Sequence, residues 1–241
     1  MFFGGMILFA KGLIKRSIPN LFTLSNLYVG FLSIFFAANG DFRNASVLIL
    51  IGMMLDSMDG RLARMLNAQS EMGKELDSLA DIVTFGVAPA TLVYYISFSQ
   101  HGLVGLLVAG MFPLFGAFRL ARFNITSKNS LHYFTGIPIT AAGGLLTLVA
   151  MLYQWISPIV ISVTFMALCF LMVSKIKIPS FKEVPLPKYG TIITLLLVVV
   201  IVLILRSRDY ENFIYFAIPL YILYMFYRFR KSKSKDKQKP K

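Results

Sequence analysis

Apolar stretches recur along most of the chain and are separated by short polar or basic segments. A hydrocarbon layer about 30 Å thick takes roughly 20 helical residues to cross. On that length, the pattern predicts membrane-spanning helices near 20–38, 44–64, 75–98, 102–121, 138–154, 157–174, 189–205 and 212–227. The predicted fold is therefore an all-α polytopic membrane protein with about eight transmembrane helices.

The composition agrees with this pattern. Of the 241 residues, 57% are hydrophobic, and the mean hydropathy is +0.71. A water-soluble domain of this size is less apolar. The single cysteine, Cys169, lies inside an apolar run, so an internal disulfide bond is excluded and a buried thiol is expected.

Positive charge is concentrated at the ends of apolar runs and in the tail, residues 228–241, and the net charge is +13. If the N-terminus is cytoplasmic, every lysine and arginine except Arg43, Arg206 and Arg208 falls on the cytoplasmic side. Because short cytoplasmic loops of membrane proteins carry an excess of these residues, both termini are predicted to be cytoplasmic. The distribution suits anionic lipid head groups and argues against nucleic acid as a partner.

The same pattern divides the chain into five segments. Residues 1–19 form a predicted N-terminal interfacial segment, and residues 20–174 form a six-helix membrane core. A cytoplasmic loop, 175–188, leads to two additional transmembrane helices in 189–227. The basic cytoplasmic tail, 228–241, completes the predicted organisation.

Four aspartates interrupt the second and third predicted helices. Asp56 and Asp59 are three residues apart, and Asp77 and Asp81 are four apart, so each pair shares one face of its helix. Charged side chains at membrane depth are costly and usually mark a functional site. The two helices are therefore expected to present four carboxylates to one point.

Carboxylates held this close repel one another, so protons or cations must neutralise them. Oxygen ligands without histidine or cysteine favour hard divalent ions, and four carboxylates suit two of them. Paired metal ions are suited to in-line phosphoryl displacement. A cation relay in an ion transporter is the alternative from another class. That alternative leaves the spacing of Gly60, Ala63, Arg64 and Gly73 around the aspartates unexplained.

The stretch from Asp56 to Asp81 has the spacing D-x2-D-G-x2-A-R-x8-G-x3-D-x3-D. This spacing resembles the signature of the CDP-alcohol phosphatidyltransferase family of integral membrane enzymes. The resemblance implies that Asp56, Asp59, Asp77 and Asp81 hold two divalent ions, which are Mg²⁺ or Mn²⁺, with Ca²⁺ as an alternative occupant of the same site. These ions would bridge the diphosphate of a CDP-linked lipid. Asp81 would also take the proton from an acceptor hydroxyl, and CMP would leave.

A seat for the CDP moiety is expected beside the aspartates. Gly60 and Gly73 remove side chains where a ligand approaches the backbone, and Arg64, one turn beyond Gly60, suits a phosphate. The run PNLFTLSN in the first span also resembles a family element. The CDP-lipid contacts that the resemblance implies are Gly60, Arg64, Ser70, Gly73, Asn20 and Thr23.

The acceptor is suggested by three runs: ELDSLADIVTFGVAPA at 75–90, FRLARFN at 118–124 and FTGIP at 134–138. Together they look most like the branch of the family that transfers the phosphatidyl group of CDP-diacylglycerol to L-serine. Because serine carries a carboxylate, Arg119 or Arg122 is expected in the acceptor pocket. Alternatively, both arginines anchor their helix end at lipid phosphates.

Other members of the family point to other acceptors, such as glycerol 3-phosphate or inositol, or to an ether-lipid donor of the archaeal kind. The resemblance also implies that the six-helix core is catalytic and that the protein is a homodimer. The expected location is the cell membrane, with the active site on the cytoplasmic side.

Overall fold

The computed structural model of the protein describes the backbone of residues 2–126, 133–174 and 177–179, with side chains in 17–125 and 136–174. All of these residues belong to one unit, Met1–Val184. Most of them are helical. The α-helices are α1 (Phe2–Ala38), α2 (Phe42–Met65), α3 (Glu71–Asp81), α4 (Ala88–Val93), α5 (Gly102–Thr126), α6 (Ile139–Met151) and α7 (Pro158–Val173).

Two π-helical segments and a short ribbon accompany the α-helices. The first π-helical segment is Ile82–Val87 and the second is Tyr94–Phe98, which a 3₁₀ turn follows. Strands β1 (Tyr133–Thr135) and β2 (Lys177–Pro179) pair antiparallel. The all-α prediction did not include this ribbon, because three-residue strands are too short to show an alternating pattern.

Each of the first six predicted spans coincides with a helical segment, and the helical fold class is confirmed for the described residues. Two stretches, Ser17–Ala38 and Glu71–Ile125, are long and apolar enough to cross a membrane. The apolar helices α6 and α7 are shorter. The predicted spans 189–205 and 212–227 lie outside the described residues, as does the tail, so the count of eight spans stays a prediction.

The N-terminal segment differs from the expectation in one respect. The sequence separates residues 1–19 from the first span, whereas the structure joins residues 2–19 to that span in the single helix α1. Pro19 lies inside this helix and does not end it. The interfacial location of 1–19 stays a prediction.

Helices α1 and α2 form a hairpin that carries the first two aspartates. Asp41 caps α2 by accepting a hydrogen bond from the backbone N–H of Asn44 at 3.1 Å. The hydroxyl of Ser33 on α1 donates to the carbonyl of Ala45 on α2 at 2.9 Å. Gly52 allows close packing, because a Cβ there would lie 2.8 Å from the Oδ1 atom of Asn26. This hairpin holds the α1 side chains against the acidic face of α2.

A second hairpin joins the helical run from α3 to the second π-helical segment with α5. The chain reverses at Gly102, whose φ of +54° lies in the left-handed region that glycine adopts readily. Gly105 then packs on the backbone of Phe98, and Pro113 packs on Gly86. Later residues of α5 thus contact earlier residues of the preceding run, so α5 returns antiparallel toward α3.

The apolar core lies mainly between this second hairpin and the helices α6 and α7, and Ala37 of α1 and Ala45 and Ile49 of α2 also belong to it. Phe85, Phe112 and Phe165 are fully buried at its centre. Gly143 of α6 packs on the backbone of Phe85, where a Cβ would collide with the carbonyl oxygen. Large apolar side chains on α1, α5 and α7 are exposed, as expected of helices that face lipid. The core therefore supports the first π-helical segment, which begins directly after Asp81.

Candidate active site

The four predicted aspartates come together where α2 meets α3. One carboxylate oxygen from each of Asp56, Asp59 and Asp77 lies within 4.8 Å of the others. Asp56 is also within hydrogen-bonding reach of the carboxyl groups of Asp77 and Asp81. The i, i+3 and i, i+4 spacings thus place all four side chains on facing helix surfaces. The two helices thus bring three of the four carboxylates to one point, and Asp81 lies beside Asp56.

The surroundings of the carboxylates suit a divalent ion. Asp59 and Asp81 are only 5% and 8% exposed. The Oδ1 atoms of Asp77 and Asp81 are buried and have no hydrogen-bond partner among the described residues. Buried, unpaired carboxylate oxygens at close range are stabilised by a cation, and a set made only of oxygen atoms matches Mg²⁺, Mn²⁺ or Ca²⁺. The residues present therefore fit the predicted metal site, while the identity and number of ions stay predictions.

Thr23 supports this cluster from α1. Its hydroxyl oxygen lies 2.7 Å from Oδ2 of Asp59 and 3.2 Å from the carbonyl oxygen of Pro19. The side chain is buried, with 4% exposure. Thr23 was expected at the nucleotide, and its observed partner is a carboxylate of the predicted metal site. A hydroxyl in this position fixes the orientation of the Asp59 side chain.

Residues expected to bind CDP lie together at the N-terminus of α3. Ser70 caps the helix by accepting a hydrogen bond from the backbone N–H of Gly73 at 3.0 Å. A Cβ on Gly73 would lie 3.0 Å from Oδ1 of Asn20 and 3.1 Å from Oγ of Ser70. Three of the predicted contacts, Asn20, Ser70 and Gly73, are therefore neighbours, and any larger residue at 73 would crowd both side chains.

Gly60 and Arg64 lie on the last turns of α2. The nearest atom to a Cβ built on Gly60 is Nη1 of Arg64, at 3.9 Å. The side chain of Arg64 is exposed. The guanidinium therefore lies over Gly60 and is open to solvent. A phosphate could be received there by paired N–H donors.

The two arginines proposed for the acceptor have different environments. Arg119 is 5% exposed, interacts electrostatically with Asp81, and lies over the ring of Phe123 with its Cζ atom 5.2 Å from the ring centroid. Its Nε atom lacks a hydrogen-bond partner in the described part of the chain. A buried guanidinium with a free donor beside Asp81 is suited to a carboxylate ligand.

Arg122 instead caps the end of another helix. Its guanidinium donates to the carbonyl oxygens of Val173 at 3.2 Å and Ser174 at 3.4 Å. Cations at a helix C-terminus satisfy its last carbonyl groups and interact favourably with its dipole. Arg122 therefore ties α5 to α7, as an anchoring role predicts, although the anchor is protein backbone.

The FTGIP run packs at the same helix end. Gly136 has a φ of +78°, and a Cβ there would collide with the carbonyl oxygen of Met172. The backbone N–H of Ile137 donates to the carbonyl of Leu171 at 3.2 Å. Only glycine fits at 136, for both the conformation and the space. The run is thus fixed to the end of α7 beside Arg122.

Two polar features near the cluster were missed from the sequence. Asn26 lies one turn beyond Thr23, is fully buried, and has neither amide atom hydrogen-bonded within the described ranges. Asn124 donates from Nδ2 to the hydroxyl of Ser78 at 3.0 Å, which joins α5 to α3. The i, i+3 spacing from Thr23 could have identified Asn26. Pairing Asn124 with Ser78 required the antiparallel register of α3 and α5.

Comparison with known proteins gives a consistent result. Residues 16–174 match the sequence model of CDP-alcohol phosphatidyltransferases. The protein named CDP-diacylglycerol--serine O-phosphatidyltransferase in Helicobacter pylori is 43% identical over 173 residues, which cover 69% of this chain and 73% of that protein. The protein of the same name in Bacillus subtilis is 42% identical over 166 residues, which cover 69% of this chain and 92% of that protein. A third protein of that name, in Mycobacterium bovis, is 34% identical over 189 residues, which cover 73% of this chain and 66% of that protein.

Proposed function

The chain belongs to the CDP-alcohol phosphatidyltransferase family, and we propose that it transfers the phosphatidyl group of CDP-diacylglycerol to the hydroxyl of L-serine. The products are phosphatidylserine and CMP. The cluster of four aspartates is the observation that carries the proposal, because a displacement at a diphosphate needs concentrated positive charge and a base together. The names of the three relatives support serine as the acceptor.

The aspartates divide the work. Asp56, Asp59 and Asp77 hold divalent ions, and Thr23 orients Asp59 through their hydrogen bond. When bound, the ions neutralise the diphosphate and the departing CMP. Asp81 also contributes to this set and accepts the proton of the serine hydroxyl. The serine oxygen then bonds to the phosphorus that carries the lipid, and the bond from that phosphorus to the CMP oxygen breaks.

The donor lies along the α2–α3 connection. Asn20, Ser70 and Gly73 contact the nucleoside part of CDP, and their mutual proximity supports this assignment. Arg64 binds a phosphate oxygen next to Gly60, where no larger side chain blocks the approach.

Arg119 binds the carboxylate of serine. Its burial, its unpaired Nε atom and its electrostatic interaction with Asp81 support this role. A carboxylate held there brings the serine hydroxyl to the side of the cluster on which Asp81 lies. Arg122 serves the acceptor indirectly, because it ties α5 to α7 through Val173 and Ser174.

The protein is an integral membrane enzyme of lipid synthesis. Its apolar helices and its family membership support the membrane location. The distribution of lysine and arginine supports a cytoplasmic active site, cytoplasmic termini, and binding of anionic lipids by the basic tail 228–241. A homodimer is expected on the family resemblance.

The test is CMP release by the purified protein in detergent micelles that contain CDP-diacylglycerol and Mn²⁺ or Mg²⁺. L-serine, glycerol 3-phosphate and inositol are supplied separately, and the lipid product is identified by mass. We expect CMP and phosphatidylserine with serine alone. An Asp81→Asn protein prepared in the same way controls for contaminating enzymes.

Two results would overturn parts of the proposal separately. Release with inositol or glycerol 3-phosphate, and none with serine, would reject only the acceptor. CMP release from a CDP-linked archaeal ether lipid, and none from CDP-diacylglycerol, would reject only the donor. No release with any pair of substrates would reject the transferase, and cation flux through proteoliposomes would then be measured as the competing function.

A further inference from the structure

We propose that the hydrogen bond between Asn124 and Ser78 positions Arg119 opposite Asp81 and limits the size of the acceptor that fits between them. This inference rests on the proposed function. It concerns two residues that the metal site, the CDP seat and the acceptor pocket do not include. The donor atom is Nδ2 of Asn124 on α5, and the acceptor is the hydroxyl of Ser78 on α3, 3.0 Å away.

The position of the bond follows from the antiparallel arrangement of the two helices. Ser78 precedes Asp81 by three residues, which is about 4.5 Å along α3. Asn124 follows Arg119 by five residues, which is about 7.5 Å along α5. Because α5 returns toward the start of α3, both displacements point the same way. The bond therefore lies about one helical turn beyond the Asp81–Arg119 pair, next to where the proposed acceptor binds.

The geometry of the bond is restricted at its Ser78 end. The hydroxyl of Ser78 donates to the carbonyl of Lys74 at 3.1 Å while it accepts from Asn124, so its geometry has little freedom. Ser78 also directly follows Asp77, and its position is therefore fixed relative to the aspartate cluster. Asn124 is part of the same helix end as Arg119 and is partly buried.

Arg119 depends on this positioning. Its Nε atom has no hydrogen-bond partner in the described residues, so no hydrogen bond holds this part of the guanidinium. Phe123 supports one face of it. A shift of the α5 end would change the separation of Arg119 from Asp81, and the carboxylate and hydroxyl of one small amino acid must reach both. Asn124 and Ser78 are thus positioning residues that set acceptor affinity and selectivity.

The experiment measures KM and kcat for L-serine and KM for CDP-diacylglycerol in Asn124→Ala, Ser78→Ala and the double variant. Each single variant is expected to raise the serine KM about fivefold, because loss of a typical neutral hydrogen bond weakens binding by about that factor. The double variant should raise it no further, because both changes remove the same bond. The CDP-diacylglycerol KM should stay within about twofold of the unmodified protein.

Selectivity is measured with L-threonine, which adds one methyl group to serine. The ratio of threonine to serine turnover should rise in the alanine variants and stay low in Ser78→Thr, which keeps the hydroxyl. Ser162→Ala is the matched control. The hydroxyl of Ser162 bonds to the carbonyl of Pro158 at 2.8 Å, four residues earlier, as that of Ser78 does to Lys74, but on α7.

The outcomes separate this inference from the proposed function. An unmodified protein that does not use serine rejects both. An unmodified protein that uses serine, with variants whose serine KM equals that of Ser162→Ala, rejects only the positioning role. Equal rises in the KM of both substrates would also reject it. If the alanine variants fold poorly, Asn124→Leu nearly keeps the volume and removes the hydrogen-bonding group, and an unchanged serine KM in that variant would overturn the inference.

Discussion

Buried polar side chains have hydrogen-bond partners in the core, whereas several at the aspartate cluster lack them. In α6, the hydroxyl of Thr147 is fully buried and donates to the carbonyl of Gly143, four residues earlier, at 2.8 Å. At the cluster, Asp77 and Asp81 each bury a carboxylate oxygen without a partner in the described residues. Asn26 buries an entire amide in the same way.

The difference separates residues that serve folding from residues that serve binding. A hydroxyl that donates to a carbonyl of its own helix has a hydrogen-bond partner whatever else the helix contacts. An unpaired buried carboxylate or amide costs about 1–3 kcal/mol, and its retention is explained when a ligand supplies the missing partner. Among the described residues, most of the buried polar atoms without a partner therefore lie where α1, α2 and α3 meet, and the others are Oγ of Ser97 and Nε of Arg119.

The largest effect is expected for Asp81→Asn. The amide preserves the shape of the side chain but cannot accept the proton of the acceptor hydroxyl, so kcat should fall about 10²- to 10⁴-fold. CDP-lipid binding should persist in part. The measurement is CMP release with saturating serine and Mn²⁺, together with equilibrium binding of CDP-diacylglycerol. A variant that keeps its turnover would show that Asp81 is not the base.

The next effect concerns the metal site. Removal of divalent ions by a chelator should abolish CMP release, and added Mn²⁺ should restore it. In Asp56→Ala, the Mn²⁺ concentration for half-maximal activity should rise about 10- to 100-fold, because one of the clustered carboxylates is lost. Asp81→Asn should show a smaller rise. Equal metal affinity in the two variants would contradict the separate roles of these aspartates.

A matched threonine pair tests the comparison directly. Thr23→Val removes the hydroxyl that contacts Asp59, and the Mn²⁺ requirement should rise about tenfold. Thr147→Val removes a hydroxyl that contacts only the helix backbone, and activity should stay within about twofold. The same titration of CMP release against Mn²⁺ measures both. Similar effects in the two variants would remove the distinction between the regions.

The smallest effect on activity is expected for changes in the core packing. In Gly143→Ala, the new Cβ would meet the carbonyl oxygen of Phe85, so α6 must move away and unfolding should become easier by about 1–3 kcal/mol. Gly110→Ala is the control, since no heavy atom lies within 4 Å of a Cβ there. Thermal unfolding in detergent measures both. Equal stability of the two proteins would show that the close contact at 143 is not limiting.

Local spacing was sufficient to predict the acidic cluster. The i, i+3 and i, i+4 aspartates needed only helical geometry, and the first six helices needed only runs of apolar residues. The neighbours Asn20, Ser70 and Gly73 were expected from a resemblance, and the structure brings them together.

Contacts between distant helices could not be predicted in this way. Arg119 and Arg122 are three residues apart on one helix, and the sequence treats them alike. Their environments differ because α5 has different neighbours at the two positions: Arg119 interacts with Asp81, and Arg122 contacts the end of α7. The bond from Asn124 to Ser78 likewise depends on the register of two antiparallel helices. Such registers are set by packing at particular residues, and the hydropathy pattern does not contain them.

The first π-helical segment, Ile82–Val87, also has a consequence for how this sequence tolerates length changes. Its end bonds from the N–H of Ala88 to the carbonyl of Val83, five residues earlier, so the turn holds one residue more than an α-helix. Deleting one residue here is absorbed by a return to regular α-helical winding, whereas regular winding of all the present residues would rotate everything after them by about 100° relative to Asp77 and Asp81. Leu92 and Val93 would then leave the core. The wide turn keeps the acidic face and the packing face in phase on one continuous helical run.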